Sequence, residues 1–164
     1  MADLRRDPFS GSWTLIAAGR ANRPRDHAYP PATPGEPLPG CPFCPGNEDK
    51  TPPEIGRTEG GSKGGWLLRA IPNLYPAIEP SSLSDEKTEG LLQSMSGGGR
   101  HEVIIDSPDH LRGLADLPDA HSGKVLALLQ RRVRELYRIP SVRAVAPFKN
   151  HGATAGASLE HSHL

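Results

Sequence analysis

Two cysteines, Cys41 and Cys44, are separated by only two residues, a spacing at which both sulfur atoms can bind one metal ion. Zinc suits such a site because it accepts tetrahedral sulfur and nitrogen ligands. A thioredoxin-like redox pair is one alternative, but it needs a helix to begin at the first cysteine, and Pro45 and Gly46 follow at once. Two unligated loop cysteines are another. The spacing favours zinc and leaves two ligands to be found.

The missing zinc ligands are expected to be histidines, because the chain has no other cysteine. The seven histidines are His27, His101, His110, His121, His151, His161 and His163. Spacing alone does not choose among them. His161 and His163 are one residue apart, so an extended backbone directs both side chains to the same face. Zinc could hold one and leave the other beside it, whereas a frayed chain end is the alternative.

A second group of residues could bind phosphate. Arg20 and Arg23 can grip phosphate oxygens in a bidentate way, and the Gly- and Ala-rich run 152–158 can bring backbone N–H groups close to an anion. The run is not a Walker or dinucleotide motif, and paired arginines are also common on solvated surfaces. A nucleophilic histidine would join these parts, because imidazole can carry a nucleotidyl group between two substrates. The sequence thus permits nucleotidyl transfer.

The composition indicates one domain with a lean core. The chain has 164 residues, of which 18 are Gly and 18 are Pro, and only 35% are hydrophobic. Such a chain is expected to need a brace such as a metal or a partner subunit. Lys plus Arg and Asp plus Glu are both 19, and this balance excludes a broad electrostatic binder of nucleic acid and a polybasic membrane protein. With no long apolar run and no signal-peptide core, the default prediction is a cytoplasmic protein.

The residue patterns predict an α+β fold with an antiparallel sheet. Strands are predicted at 13–16, 66–72, 101–106 and 142–148, whereas residues 27–64 and 80–100 are predicted to be loops. A loop as long as 27–64 is unusual in a compact domain unless something pins it, and a metal at the cysteines would do so.

One long helix is predicted over roughly 120–138. Asp119 or Ser122 could cap its start, and Pro140 stops it. Its apolar stripe comprises Val125, Leu126, Leu129, Val133, Leu136 and Tyr137.

Five segments occur in a diagnostic order: LRRDPFSGSWTLIAAGRANRPRD, CPFCPGNEDKTPPE, WLLRAIPNLYPAI, HEVIIDSPDH and FKNHGATAGASLEHSH. With them the chain resembles the amino-terminal half of the galactose-1-phosphate uridylyltransferases, within the histidine-triad-like superfamily. The match runs nearly end to end. It implies a single amino-terminal domain over 1–164, with a histidine-triad-like antiparallel sheet, one long helix and a long zinc-braced loop.

The resemblance also implies roles for individual residues. A structural zinc ion would be held by Cys41, Cys44, His110 and His161. His163 falls on the family's nucleophile. The substrate-binding positions that match are Arg20, Arg23, Asn73, Asn150, Gly156, Ala157 and Ser158.

The implied reaction is a ping-pong exchange of UMP. His163 would attack the α-phosphorus of UDP-glucose, release glucose 1-phosphate and pass the uridylyl group to galactose 1-phosphate. Close relatives that use ADP-glucose and phosphate are the alternative, and a zinc-stabilised inactive fragment is another. Neither nucleic acid nor membrane is an expected partner, and full-length members are expected to be homodimers.

The sequence departs from the family pattern at three places. Leu74 stands where some members have an acidic residue beside the asparagine. His-Ser-His, with Ser162 in the middle, replaces the more familiar His-Pro-His. The family continues past Leu164 with a glutamine, two residues after the nucleophile, and then a second half of similar fold. We therefore expect a fragment or a truncated gene product.

Overall fold

The computed structural model describes residues 2–22, 36–61, 65–80 and 86–164. Within them, two antiparallel sheets accompany one long helix, so the predicted α+β class is confirmed. The strands and the helix are β1 (Asp3–Arg6), β2 (Trp13–Ile16), β3 (Gly56–Glu59), β4 (Trp66–Pro72), β5 (Lys87–Glu89), β6 (Leu92–Ser96), β7 (Glu102–Ile105) and α1 (Asp119–Leu136). In these ranges no helix is both long and apolar enough to cross a bilayer.

A three-stranded sheet of order β3-β4-β7 forms the centre of the molecule. Both faces of β4 are covered, which explains its nearly continuous apolar sequence. Leu68, Ala70 and Ile104 cluster with helix α1. Ile71 and Ile105 pack on the other side, against the loop that carries the cysteines. The predicted strands at 66–72 and 101–106 are confirmed, and together they form the platform for the candidate site.

Helix α1 covers this sheet through a narrower stripe than the sequence predicts. Val125 and Leu128 are its buried residues, whereas Leu126 and Tyr137 of the predicted stripe are 61% and 53% exposed. The predicted cap is also wrong. Asp119 is the first helical residue, and no side chain caps the helix, which begins after Pro118.

Shortening Leu128 to alanine is expected to lower the free energy of unfolding by about 3 kcal/mol, because it leaves a cavity between α1 and β4. Leu126→Ala is the matched control on the same helix, and its 61% exposure predicts a change within about 0.5 kcal/mol. Chemical denaturation of both variants checks the difference. Equal losses would mean that α1 does not pack on the sheet through Leu128.

A second, four-stranded sheet has the order β2-β1-β6-β5. Its β5–β6 hairpin turns at Gly90, whose φ of +62° lies in the left-handed region that glycine favours. The prediction that residues 80–100 form a loop is therefore wrong. The short strand β1 was not predicted, and β3 lies inside the predicted 27–64 loop. The strand predicted at 142–148 is absent, and that segment, which contains Pro147, has no regular structure.

Candidate active site and metal centre

Four buried side chains with sulfur and nitrogen donors converge beside the central sheet. Their donor atoms all lie within 4.8 Å of one another, and the residues are Cys41, Cys44, His110 and His161. Three chain segments supply them: the loop before β3, the turn after β7 and the end of the described chain. Sequence spacing could not choose these histidines, and the structure brings together the set that the resemblance implies.

The donor spacing fits a tetrahedral metal ion. Cys44 Sγ lies 3.4 Å from His110 Nδ1 and 3.5 Å from His161 Nδ1, and Cys41 Sγ lies 3.6 Å from His161 Nδ1. Around a tetrahedral zinc ion with ordinary bond lengths, sulfur and nitrogen ligands are about 3.5 Å apart. Two sulfur and two nitrogen donors are also the set that zinc accepts in structural sites. The four residues could therefore bind a metal ion of this kind.

The loop that carries the cysteines is held by its own hydrogen bonds. Asn47 Nδ2 donates to the carbonyls of Leu38 and Cys41, at 3.2 and 2.8 Å. The Leu38 N–H donates to Cys44 Sγ at 3.2 Å. A hydrogen bond from the Cys41 thiol lowers the pKa of Cys44 and raises the pKa of Cys41. The Cys44 thiolate, which is the form that binds a metal ion, is thus stabilised.

His161 is oriented by the backbone on its far side. Its Nε2 lies 2.8 Å from the Ser107 carbonyl oxygen. A carbonyl only accepts, so Nε2 carries the hydrogen and Nδ1 turns its lone pair toward the sulfur atoms. Ser107 lies just beyond β7, so the central sheet sets the direction of this ligand.

His163 lies beside these four candidate metal ligands, Cys41, Cys44, His110 and His161, which are called the metal cluster below. Its Nδ1 donates to the carbonyl oxygen of His161 at 2.7 Å, which leaves the lone pair on Nε2. Burial lowers the pKa of His163, which favours the neutral ring that a nucleophile needs. Phe43, which lies between the two cysteines in sequence, packs edge-on against His163 with ring centroids 5.4 Å apart. The loop with the cysteines therefore contacts the candidate nucleophile directly.

The backbone after His163 extends the central sheet. His163 forms a β-bridge with Ile105, and Leu164 exchanges two backbone hydrogen bonds with Ile104, at 2.9 and 3.1 Å. Ladder hydrogen bonds on one side and the metal cluster on the other hold this short segment in place.

A cavity of about 220 Å³ opens in front of His163. The predicted site residues that line it are Arg20, Asn73, Asn150, Gly156, Ala157, Ser158 and His163. Arg23 lies outside the described residues, as does His27, one of the zinc candidates. The structure therefore gathers seven positions from four separate segments around one cavity, while their catalytic and binding roles stay predictions.

Several residues around the site were not singled out by sequence reasoning. Phe43 could have been noticed as the apolar residue inside the cysteine motif. Asp106, Lys149 and Ser162 form a polar network behind His163. Asp106 could have been noticed because it is an acidic residue directly after an apolar strand. Nothing in the sequence links Asp106 to Lys149.

Comparison with known proteins identifies the chain. The family model described as galactose-1-phosphate uridyl transferase, N-terminal domain, matches residues 1–164. The chain belongs to this family. The resemblance inferred from the sequence is confirmed, and the metal cluster and His163 lie within the matched uridyl transferase domain.

The proteins to which this chain is similar include an ADP-glucose phosphorylase and galactose-1-phosphate uridylyltransferases. An ADP-glucose phosphorylase of Arabidopsis thaliana is 35% identical over 98% of this chain and 46% of its own length. A galactose-1-phosphate uridylyltransferase of Thermotoga maritima is 27% identical over 99% of this chain and 45% of its own. The crystal structure of an ADP-glucose phosphorylase from Arabidopsis thaliana with bound ADP-glucose matches with a TM-score of 0.62 and 31% identity, over 99% of this chain and 47% of that one. The chain spans about half the length of these relatives.

Proposed function

We propose that this chain carries the covalent half of a nucleotidyltransferase, with His163 as the nucleophile toward a nucleoside diphosphate hexose. One observation supports this most. His163, whose Nδ1 donates to the His161 carbonyl and so leaves the lone pair on Nε2, lines a cavity together with Arg20, Asn73 and the 156–158 segment. Arginine, amide and backbone N–H groups are the donors that bind phosphate oxygens. Membership of a uridyl transferase family agrees with this chemistry.

In the proposed step, Nε2 of His163 attacks the α-phosphorus of the nucleotide sugar. A P–N bond forms while the P–O bond to the β-phosphate breaks, and the sugar 1-phosphate leaves with the electron pair. The Ala157 N–H donates to the Gly152 carbonyl, so Arg20 and the other donor groups of the 156–158 segment would stabilise the charge on the α-phosphoryl oxygens. A second substrate with a phosphate oxygen then takes the nucleotidyl group and regenerates the imidazole.

We propose zinc as the metal, held by Cys41, Cys44, His110 and His161. When bound, it supplies a structural cross-link between the loop of the cysteines, the turn after β7 and the segment of the nucleophile. His163 is not part of the four-residue cluster, so this residue stays outside the ligand set.

Two donor substrates are candidates. The higher identity to an ADP-glucose phosphorylase, 35% against 27%, favours adenylyl transfer from ADP-glucose to phosphate. The description of the family favours uridylyl transfer between UDP-glucose and galactose 1-phosphate. In both cases we propose residues 1–164 as one amino-terminal domain of a cytoplasmic enzyme that acts on small phosphorylated substrates, with no nucleic acid or membrane partner, and as a homodimer at full length.

Intact mass spectrometry distinguishes the two donors. The zinc-replete chain is incubated separately with ADP-glucose and with UDP-glucose, and we expect an adenylyl adduct to accumulate faster than a uridylyl adduct. A faster uridylyl adduct would assign the galactose reaction instead. Absence of both adducts in folded, metal-loaded protein would contradict the proposed function of this chain.

A further inference from the structure

A buried ion pair lies directly behind the backbone of the candidate nucleophile. Lys149 Nζ donates to Asp106 Oδ2 and to Ser162 Oγ, both at 2.7 Å, and to the main-chain carbonyl of His163 at 3.0 Å. Ser162 Oγ donates in turn to Asp106 Oδ2 at 3.1 Å. Asp106 is fully buried, Ser162 is only 8% exposed, and the side chain of Lys149 is 19% exposed. These contacts are therefore shielded from water and stronger than the same contacts at the surface.

The ammonium group of Lys149 is fully used within this network. It has three N–H donors, and each one meets an acceptor of the protein. A substrate phosphate could recruit Lys149 only by displacing one of these three acceptors, and loss of the Asp106 contact would leave a carboxylate buried without its cation. Lys149 is also not among the residues that line the cavity, so its contacts point to a role within the protein.

The network restrains the stretch of chain that the metal does not reach. The side chain of His161 is held by the metal cluster and by Ser107. The side chain of Ser162 and the carbonyl of His163 are held by Lys149. Rotation of the backbone at Ser162 would swing the His163 ring away from the His161 carbonyl that receives its Nδ1–H.

We propose that Lys149, together with Asp106 and Ser162, is a positioning device that holds the His163 ring with Nε2 directed at the cavity. This inference rests on the proposed function, in which Nε2 forms a bond to phosphorus. A misplacement of about 1 Å in such a reaction costs about 100-fold in rate. The serine of the His-Ser-His motif thus has a specific contribution: its hydroxyl connects the ion pair to the nucleophile's backbone.

The decisive variant is the double substitution Asp106→Asn with Lys149→Met. It removes both charges and keeps similar side-chain volumes, so no buried charge is left unpaired. Ser162→Ala removes only the hydroxyl link. Lys124→Met is the matched control, since Lys124 is exposed on α1.

We expect the double variant to keep its zinc and its affinity for the nucleotide sugar, while the single-turnover rate of adduct formation falls about 100-fold. Ser162→Ala should lower that rate about tenfold, the cost of one lost hydrogen bond. Lys124→Met should match the wild type. A wild-type rate in the double variant would overturn the proposal. A rate that falls only in proportion to lost zinc would also overturn it, because the network would then serve the fold alone.

Histidine ¹⁵N NMR tests the same inference without a substrate. Wild-type protein should show the His163 ring in one tautomer, with the hydrogen on Nδ1, and the double variant should show a mixture of tautomers. This measurement tests the positioning role even if the wild type forms no adduct. Absence of the adduct would count against the proposed function only. A single unchanged tautomer in the zinc-loaded double variant would count against the positioning role.

Discussion

Replacement of His163 by alanine is expected to abolish the covalent nucleotidyl adduct while one zinc ion per chain remains bound. His163 lines the cavity, its Nδ1 donates to the His161 carbonyl, and its ring is not part of the four-residue cluster around Cys44. Loss of a covalent nucleophile lowers turnover by a factor on the order of 10⁴ to 10⁶. Intact mass spectrometry measures the adduct, and metal analysis of the same sample measures the zinc content.

His161→Ala is the matched comparison, because it lies one residue apart on the same segment. It removes a donor that lies 3.5 Å from Cys44 Sγ and 3.6 Å from Cys41 Sγ, so both the zinc and the adduct should be lost. If the two variants lower the zinc content equally, the assignment of one histidine to the metal and the other to phosphorus is wrong.

Cys44→Ser is expected to release the metal and to destabilise the fold by at least about 5 kcal/mol, since structural zinc sites contribute on the order of 10 kcal/mol of binding free energy. Cys44 is fully buried and approaches both histidine ligands. Whole domains have a free energy of unfolding of only about 5–15 kcal/mol, so a domain with a lean core has little stability to lose. Metal analysis and thermal unfolding, with and without a chelator, measure the effect.

The control for this substitution is His151→Ala. His151 is exposed and lies outside the metal cluster. The zinc content and the melting temperature of the His151→Ala variant should therefore equal those of the wild type. Wild-type zinc content in Cys44→Ser would show that the four residues are not the metal site.

The sequence predicted the elements whose formation depends on local pattern and burial. Strand β4 and helix α1 contain enough apolar residues to be recognised alone. Strands β1 and β5 could not be recognised, because they contain charged residues, such as Lys87, that are exposed. Strand β1 forms by pairing with β6, which is distant in the sequence, whereas β5 pairs with β6 through the short hairpin at Gly90.

The candidate site was predictable only where whole motifs could be compared. Spacing identified Cys41 and Cys44 but could not choose His110 from seven histidines, since the choice depends on how the turn after β7 approaches the loop. The network of Asp106, Lys149 and Ser162 was not predicted for the same reason. A hydrogen bond across 43 positions of sequence leaves no local pattern.

His163 reaches the core beyond a stretch, 142–150, that has no regular structure. Noncovalent contacts dock the segment around the nucleophile: His161 in the metal cluster, the ladder between Leu164 and Ile104, and the packing of Leu159. The proposed nucleophile is therefore carried by a segment that binds its own domain as a peptide ligand would. A chain nicked within 142–148 would retain its reactive segment while the metal is bound, and chelation would release that segment from the domain.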